Sequence, residues 1–401
     1  MTNNDLTGTT VLISGASIAG PALAWWLTRY GATVTVVERA PELRTGGQAV
    51  DFKGAVHRAV LDRMGLWEEI ERRATGGHDQ TVIDADGRPV TVIPGDFTGG
   101  DVEIRRGDLA AILYERTVED CEYLFGDTIT SLTETADGVH VTFRNAAPRT
   151  FDLVVGADGI HSAVRRVAFG PEADYVRHLG FHYALADIGA FPGTDGAVMY
   201  NERGRMCTVG GPKAPAFFVF ATGGGDGVTA AQLDAVRDDA PAQQRMLADA
   251  YRGAGWRVGE VVGKLPGSTG FYLDSISQVR IDRYSSGRVV LLGDSAWGNT
   301  LGGFGTGLAV VGAYVLAGEL AAARGDHEVA FTEYEEVMRR YAKVAKKGNA
   351  GPFLAPRTRH GMWVRNALFR FRPMLSLMMR MTDDYATDVD LRDYPAPRTA
   401  A

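Results

Sequence analysis

One stretch limits the possible folds of this chain more than any other: Val11 to Glu38, VLISGASIAGPALAWWLTRYGATVTVVE. Val11, Leu12 and Ile13 form a short apolar run that stops at Gly15, and a second β-branched run, Thr33 to Val37, ends in an acid. Between them lies a helix rich in Ala, Leu and Trp. Strand, glycine turn, helix and strand in this order predict an α/β fold. The turn, Gly15-Ala16-Ser17-Ile18-Ala19-Gly20, follows the dinucleotide fingerprint G-x-G-x-x-G, with Ser17 in the second glycine place. Unpaired amides at a helix N-terminus favour negative charge, so residues 15 to 20 are candidates to cradle a pyrophosphate. Serine is a small replacement and adds a hydroxyl.

Glu38 stands close to the roughly 20-residue offset at which a carboxylate receives a ribose hydroxyl. An acid there disfavours a 2′-phosphate, so the site suits the adenosine diphosphate part of FAD or NAD better than that of NADP. The alternative is a turn whose glycines serve only tight packing.

Composition narrows the class. Hydrophobic residues make up 45% and charged residues 23% of 401, enough for a large core. The net charge of −7 argues against a nucleic-acid partner, which requires a concentrated basic surface. Cys121 and Cys207 are too few and too far apart for a disulfide framework or a cysteine metal site, which fits a reducing, cytoplasmic location. The N-terminus shows no secretory leader. Gly361 to Met381 is apolar but carries Arg365, Arg370, Arg372 and Arg380, which predicts an amphipathic helix rather than a membrane span. Of the eight histidines only His178 and His182 stand at H-x-x-x-H spacing, within a run that reads as strand, and no metal site is expected. His161 and His182 read as surface or structural.

Along the chain, Arg39 to Gly54 reads as a polar connection and Ala55 to Ala74 as helical. Runs at Thr81–Ile83 and Val90–Ile93 read as a hairpin around Asp86-Gly87, and Gly107 to Val118 as a helix. Further strands are predicted at 122–125, 129–132 and 139–143, the last two joined by a turn at Ala136-Asp137-Gly138. In FDLVVGADGIHSAVRR, Phe151 to Arg166, a buried strand meets a tight turn and a helix start. Tyr175 to Ile281 alternates short aromatic and β-branched runs with glycine turns, interrupted by one helix, Thr229 to Tyr251. That pattern predicts a mainly antiparallel sheet walling a small-molecule cavity. In RVVLLGDSAWGNTLGGFGTGL, Arg288 to Leu308, a strand ends at Gly293-Asp294 and a glycine-rich run leads into a long helix through Leu320. Helices then fill the tail, over Val329 to Lys347 and Met362 to Met381, with Pro352 and Pro356 as breakers.

The order of these three sites resembles the class A FAD-dependent monooxygenases, the p-hydroxybenzoate-hydroxylase-like aromatic hydroxylases, over most of residues 8 to 325. GGQAVDFKG and GLAVVGAYVLAGEL point to the branch with tetracycline-inactivating monooxygenases and actinobacterial tailoring enzymes, hence to antibiotic biosynthesis or modification. The resemblance implies a Rossmann-like FAD-binding domain assembled from residues 1–74, 101–174 and 284–325. A substrate domain would comprise a hairpin at 75–100 and the sheet at 175–283, with C-terminal helices over 326–401.

It also implies residue roles. Gly15, Ala16, Ser17, Ile18, Ala19 and Gly20 would hold the pyrophosphate of non-covalent FAD, Glu38 the ribose, and Arg39 the adenine. Arg44, Asp51 and Arg106 match cofactor positions, Asp158 belongs to a motif linked to both FAD and NADPH, and Asp294 would meet the ribityl or pyrophosphate region. Amides of Gly303, Gly305, Thr306 and Gly307 would face the flavin pyrimidine. Singly, Asp294 also reads as a strand-end cap, Arg106 as half of an ion pair and Asp158 as a turn residue. The chain departs from the family pattern at Ser295, Trp297 and Thr300, and Gly307 stands where asparagine is common.

The implied activity is NAD(P)H-dependent insertion of one atom of dioxygen, through a flavin C4a-hydroperoxide, into a hydrophobic aromatic or polyketide-like small molecule. A flavoprotein dehydrogenase or oxidase, or a non-catalytic flavin-binding protein, would carry the same cofactor motifs.

Overall fold

A computed structural model describes residues 6–44, 46–95, 100–194, 196–211, 216–222, 229–343, 345, 348–370 and 391–394. The opening stretch folds as its spacing predicts. Strands Thr10–Ser14 and Thr33–Glu38 flank the helix Ala19–Arg29 and pair in parallel, Leu12 opposite Thr35. They lie within a six-stranded sheet in the order Ser285–Ser286, Val289–Leu291, Leu153–Gly156, Thr10–Ser14, Thr33–Glu38, Glu122–Phe125. Five of these strands run parallel; Ser285–Ser286 is antiparallel at one edge. Every residue of Leu153–Gly156 and Val289–Leu291 is buried, because parallel strands are covered on both faces. The helices Ala19–Arg29 and Gly305–Ala322 pack together, and a small antiparallel sheet of Ile129–Thr135, Gly138–Phe143 and Arg149–Phe151 joins the same core.

A second sheet has seven strands in the order Thr269–Val279, Val176–Asp187, Ala216–Ala221, Arg205–Val209, Ala197–Glu202, Gln80–Ile83, Pro89–Ile93. All its pairings are antiparallel except Ala197–Glu202 with Gln80–Ile83, where the early hairpin joins from far away in sequence. Strand alternation gives it two apolar faces. One packs under helices through Leu233, Leu247, Val258 and Val261. The other carries Tyr183, Leu185, Met199, Phe217 and Val219 and meets Leu301, which belongs to the glycine-rich loop of the first unit.

Several helix boundaries differ from expectation. The helix expected over residues 55 to 74 is broken into Ala55–Arg63 and Trp67–Arg72, because Gly65 takes φ +65 between them. Residues 229 to 251 form Ala230–Ala235 and Ala240–Ala250: Asp239 caps the second helix and Pro241 lies in its first turn, where a missing N–H costs nothing. The polar connection after Glu38 ends in a strand, Ala49–Phe52, paired with Val102–Arg105. The long helix begins only at Gly305, after a single turn at Asp294–Trp297. Pro352 sits inside the short helix Ala350–Leu354 and so does not break one. The tail helices span His327–Tyr341 and Arg359–Arg370; the expected continuation to Met381 lies outside the described residues. Among those residues one helix, Gly305–Ala322, is long and apolar enough to cross a membrane, and it is 83% buried within the protein.

Candidate active site

The glycine turn is closed by backbone packing. Gly15 takes φ +111, and a Cβ on it would fall 2.4 Å from the Ala157 carbonyl oxygen; one on Gly20 would fall 1.9 Å from that of Gly15. Both positions therefore require glycine whatever ligand binds. The helix that follows has Ile18 at its N-cap, with no side-chain cap and no acid in the first turn, so its leading amides keep their capacity for an anion. Glu38 closes the turn from the next strand: one carboxylate oxygen accepts from Ala16 N at 2.9 Å and the other from Ala40 N at 2.9 Å. Ser17 Oγ accepts from Arg106 Nη2 at 3.0 Å, which ties the turn to the start of the helix Arg106–Glu115.

A second wall comes from the strand Val289–Leu291. The chain leaves it through Gly293, at φ +66, and places Asp294 where a Cβ on Gly305 would lie 3.3 Å from Asp294 Oδ1. Surrounding protein pushes the Asp294 carboxyl above its ordinary range, with Arg106 pulling the other way, yet part of its surface stays open. The helix starting at Gly305 is also uncapped: Phe304 offers no acceptor and the first turn holds no acid. Two open helix starts, Glu38, Arg106 and Asp294 thus converge on one cleft. Donors suited to phosphate and acceptors suited to sugar hydroxyls make up this set, and it fits FAD.

The remaining expected residues surround this core. Gly303 and Thr306 lie in the entry to the Gly305 helix. Gly307 is buried, and a Cβ there would fall 2.2 Å from the ring of His57. His57 is 7% exposed, its Nδ1 accepts from Lys53 N at 3.2 Å, and burial lowers its pKa to about 4, so it stands neutral beside the helix start. Nothing in the sequence marked His57; its only signal is the missing side chain at Gly307, which a single sequence cannot pair with it. Arg39 is half-exposed and 3.7 Å from Asp238. Arg44 is exposed, and Asp51 accepts from Gly100 N at 3.3 Å.

Asp158 is strongly engaged within the protein. Its carboxylate accepts from Ser14, Ser162 and Ser295 hydroxyls and from the amides of Ala163 and Val164, anchoring the helix Ala163–Ala168. Two of the departures from the family pattern serve hydrogen bonds here: Ser295 also accepts from Gly159 N at 3.1 Å, and Thr300 Oγ1 accepts from Ser277 N at 3.2 Å. Trp297 is a core aromatic, 1% exposed between Tyr284 and Tyr334.

His161 has a structural role at the junction of the two units. Nδ1 lies 2.8 Å from Glu172 Oε1, and Nε2 lies 3.0 Å from Asp274 Oδ2 on the large sheet. Burial alone would lower its pKa, but the bonds to Asp274 and Glu172 outweigh burial and raise it to about 9, so the ring is cationic at neutral pH. His182 is fully buried.

Comparison with known proteins agrees with this geometry. The family described as "FAD binding domain" matches residues 8–178. An uncharacterized protein of Mycobacterium tuberculosis is 39% identical over 347 residues, 81% of this chain and 88% of its own length. A protein of Legionella longbeachae named flavin-dependent monooxygenase is 33% identical over 348 residues, 84% of this chain and 87% of its own. Among solved structures, the tetracycline destructase Tet(51) matches with a TM-score of 0.78 at 28% identity, covering 96% of this chain and 99% of that one. With the cofactor cleft, the two-sheet architecture and these relatives taken together, the chain belongs to the class A FAD-dependent monooxygenases.

Proposed function

We propose that this monooxygenase uses NAD(P)H and dioxygen to insert one oxygen atom into a hydrophobic aromatic or polyketide-like molecule held between its two sheets. One observation carries the reading. Arg106, which donates to Ser17 and whose charge reaches Asp294, also reaches Tyr183 and Tyr272 on the side of the seven-stranded sheet that carries Leu185 and Val219. A polar cofactor wall opposite an apolar wall suits a ring system laid beside a flavin. The naming of Tet(51) for tetracycline agrees with a multi-ring substrate.

FAD supplies dioxygen activation and oxygen transfer when bound. In this reading the amides of residues 15–20 and the Ser17 hydroxyl hold its pyrophosphate, Glu38 its adenosine ribose, and Asp294 a hydroxyl of the ribityl chain. Arg106 gives the phosphates a cation, while the amides of residues 303–307 stabilise negative charge on the ring. Arg39 and Arg44 line the adenosine end. Asp51 and Asp158 act through the backbone segments they hold. The apolar sheet face excludes water. Residues 1–74, 101–174 and 284–325 then form the cofactor domain, and 75–100 with 175–283 the substrate domain.

The test is a panel of multi-ring phenols and quinones added to the purified FAD-loaded protein, with NAD(P)H consumption followed under labelled dioxygen. The expected result is accelerated consumption and a product carrying one labelled oxygen atom. Acceleration with hydrogen peroxide as the sole oxygen product refutes insertion.

A further inference from the structure

On the cleft-facing side of the large sheet, one polar chain interrupts the apolar wall. Tyr183 lies opposite Asp274, and Leu185 opposite Tyr272, so all four share a face. Tyr272 OH donates to Asp274 Oδ2 at 2.7 Å, and His161 Nε2 donates to the same carboxylate at 3.0 Å. Burial would raise the Asp274 carboxyl, but the hydrogen bond from His161, its charge and the bond from Tyr272 together hold it below its ordinary value. Asp274 is thus an ionised acceptor, and the Tyr272 proton is committed to it. Tyr183 is a hydrogen-bonding neighbour of Tyr272, and burial pushes both hydroxyls well above their ordinary range, so both remain protonated.

Tyr272 is partly open on the side of the sheet that the charge of Arg106 reaches: it keeps 37% of its surface open while enough protein surrounds it to shift its hydroxyl. The adjoining backbone is close as well: a Cβ on Gly46 would lie 3.9 Å from Gly270 Cα, at the start of the Tyr272 strand.

We propose that Tyr272 is the polar anchor of the substrate cleft, accepting a hydrogen bond from a hydroxyl, enol or N–H of the substrate, with Asp274 and His161 as positioning residues behind it. The direction follows from the donors. A hydroxyl has one proton and two lone pairs, and Tyr272 has given its proton to Asp274, so it can only accept from a ligand. The subsite therefore selects phenols, enols and amides over their ethers. This inference rests on the reading that the cleft takes a hydrophobic ring molecule.

The test uses two matched pairs of probes, 1-naphthol with 1-methoxynaphthalene and 1-hydroxypyrene with 1-methoxypyrene, titrated into the FAD-loaded enzyme and followed by perturbation of the flavin absorption. The parent should bind the hydroxyl member of at least one pair about tenfold more tightly, the value of one buried hydrogen bond. Tyr272→Phe should bring that ratio near one while leaving the affinity for the methyl ether unchanged. In Asp274→Ala no acceptor holds the Tyr272 proton, which can then serve an ether, so the ratio should also fall, and a merely structural role would not produce that change. A parent that binds both members equally, or a ratio that survives Tyr272→Phe, overturns the anchor and leaves the cleft reading intact. A parent that binds neither pair overturns the cleft reading together with the anchor.

Discussion

Glu38→Gln is the most informative single substitution at the cofactor end, because the structure gives its carboxylate a task before any ligand arrives. Each carboxylate oxygen accepts one backbone amide at 2.9 Å, from Ala16 in the glycine turn and from Ala40 just past the strand. An ionised carboxylate offers about four lone-pair sites, so two remain for the hydroxyls of a ribose. Glutamine keeps the shape but has one oxygen, and its NH2 must face an amide N–H with two donors opposed. A hydrogen bond to a charged group contributes about 1.5 to 3 kcal/mol. The apoprotein should therefore lose stability of that order, and FAD affinity should fall by a further one to two powers of ten as the charge on the ribose contact goes. The two amide bonds make the charge matter for folding as well as for the cofactor. Chemical denaturation of the apoprotein and flavin titration read the two effects separately. A variant apoprotein with the parent's unfolding midpoint refutes the anchoring of the turn, and an unchanged FAD dissociation constant refutes the ribose contact.

Asp294→Asn should behave in the opposite sense on the apoprotein: burial raises its carboxyl, so removing an ill-solvated charge should leave stability equal or higher while FAD dissociates more readily. An unchanged FAD dissociation constant removes Asp294 from the cofactor site. Gly307→Ala places a methyl 2.2 Å from His57, whose ring is held by the Lys53 amide and the edge of Phe52, and should cost about 1 to 3 kcal/mol by overpacking. In a His57→Ala background that cost should largely vanish, and additive losses in the double variant would contradict the contact. For His161, whose folded pKa of about 9 exceeds the ordinary 6.5, the associated stability is fully present below about pH 6.5. It is lost as pH rises through about 9 and amounts to roughly 3 kcal/mol. Unfolding free energies of the parent should fall across this window while those of His161→Gln stay flatter; parallel curves would falsify the charged pairing.

The sequence determined by itself what depends on local spacing. Strand, glycine turn, helix and terminal acid from Val11 to Glu38 could be read directly, since apolar periodicity and φ > 0 glycines act over a few residues. The texture of residues 175 to 281 likewise predicted the antiparallel wall, and the resemblance identified the family that the relatives bear out. Helix breaks at Gly65 and Asp239 were missed because apolar residues repeat across both, and only packing decides where such a repeat stops. Pairings between distant segments were decided by the tertiary structure alone. Gly307 must be small because His57, 250 positions earlier, occupies its space. Asp274, unremarkable within its strand, becomes an ionised acceptor because His161 reaches it from the turn after Leu153–Gly156, 113 positions away. A charge or a void is set by whatever surrounds it in space, and a single chain read in order carries no record of which residues those are.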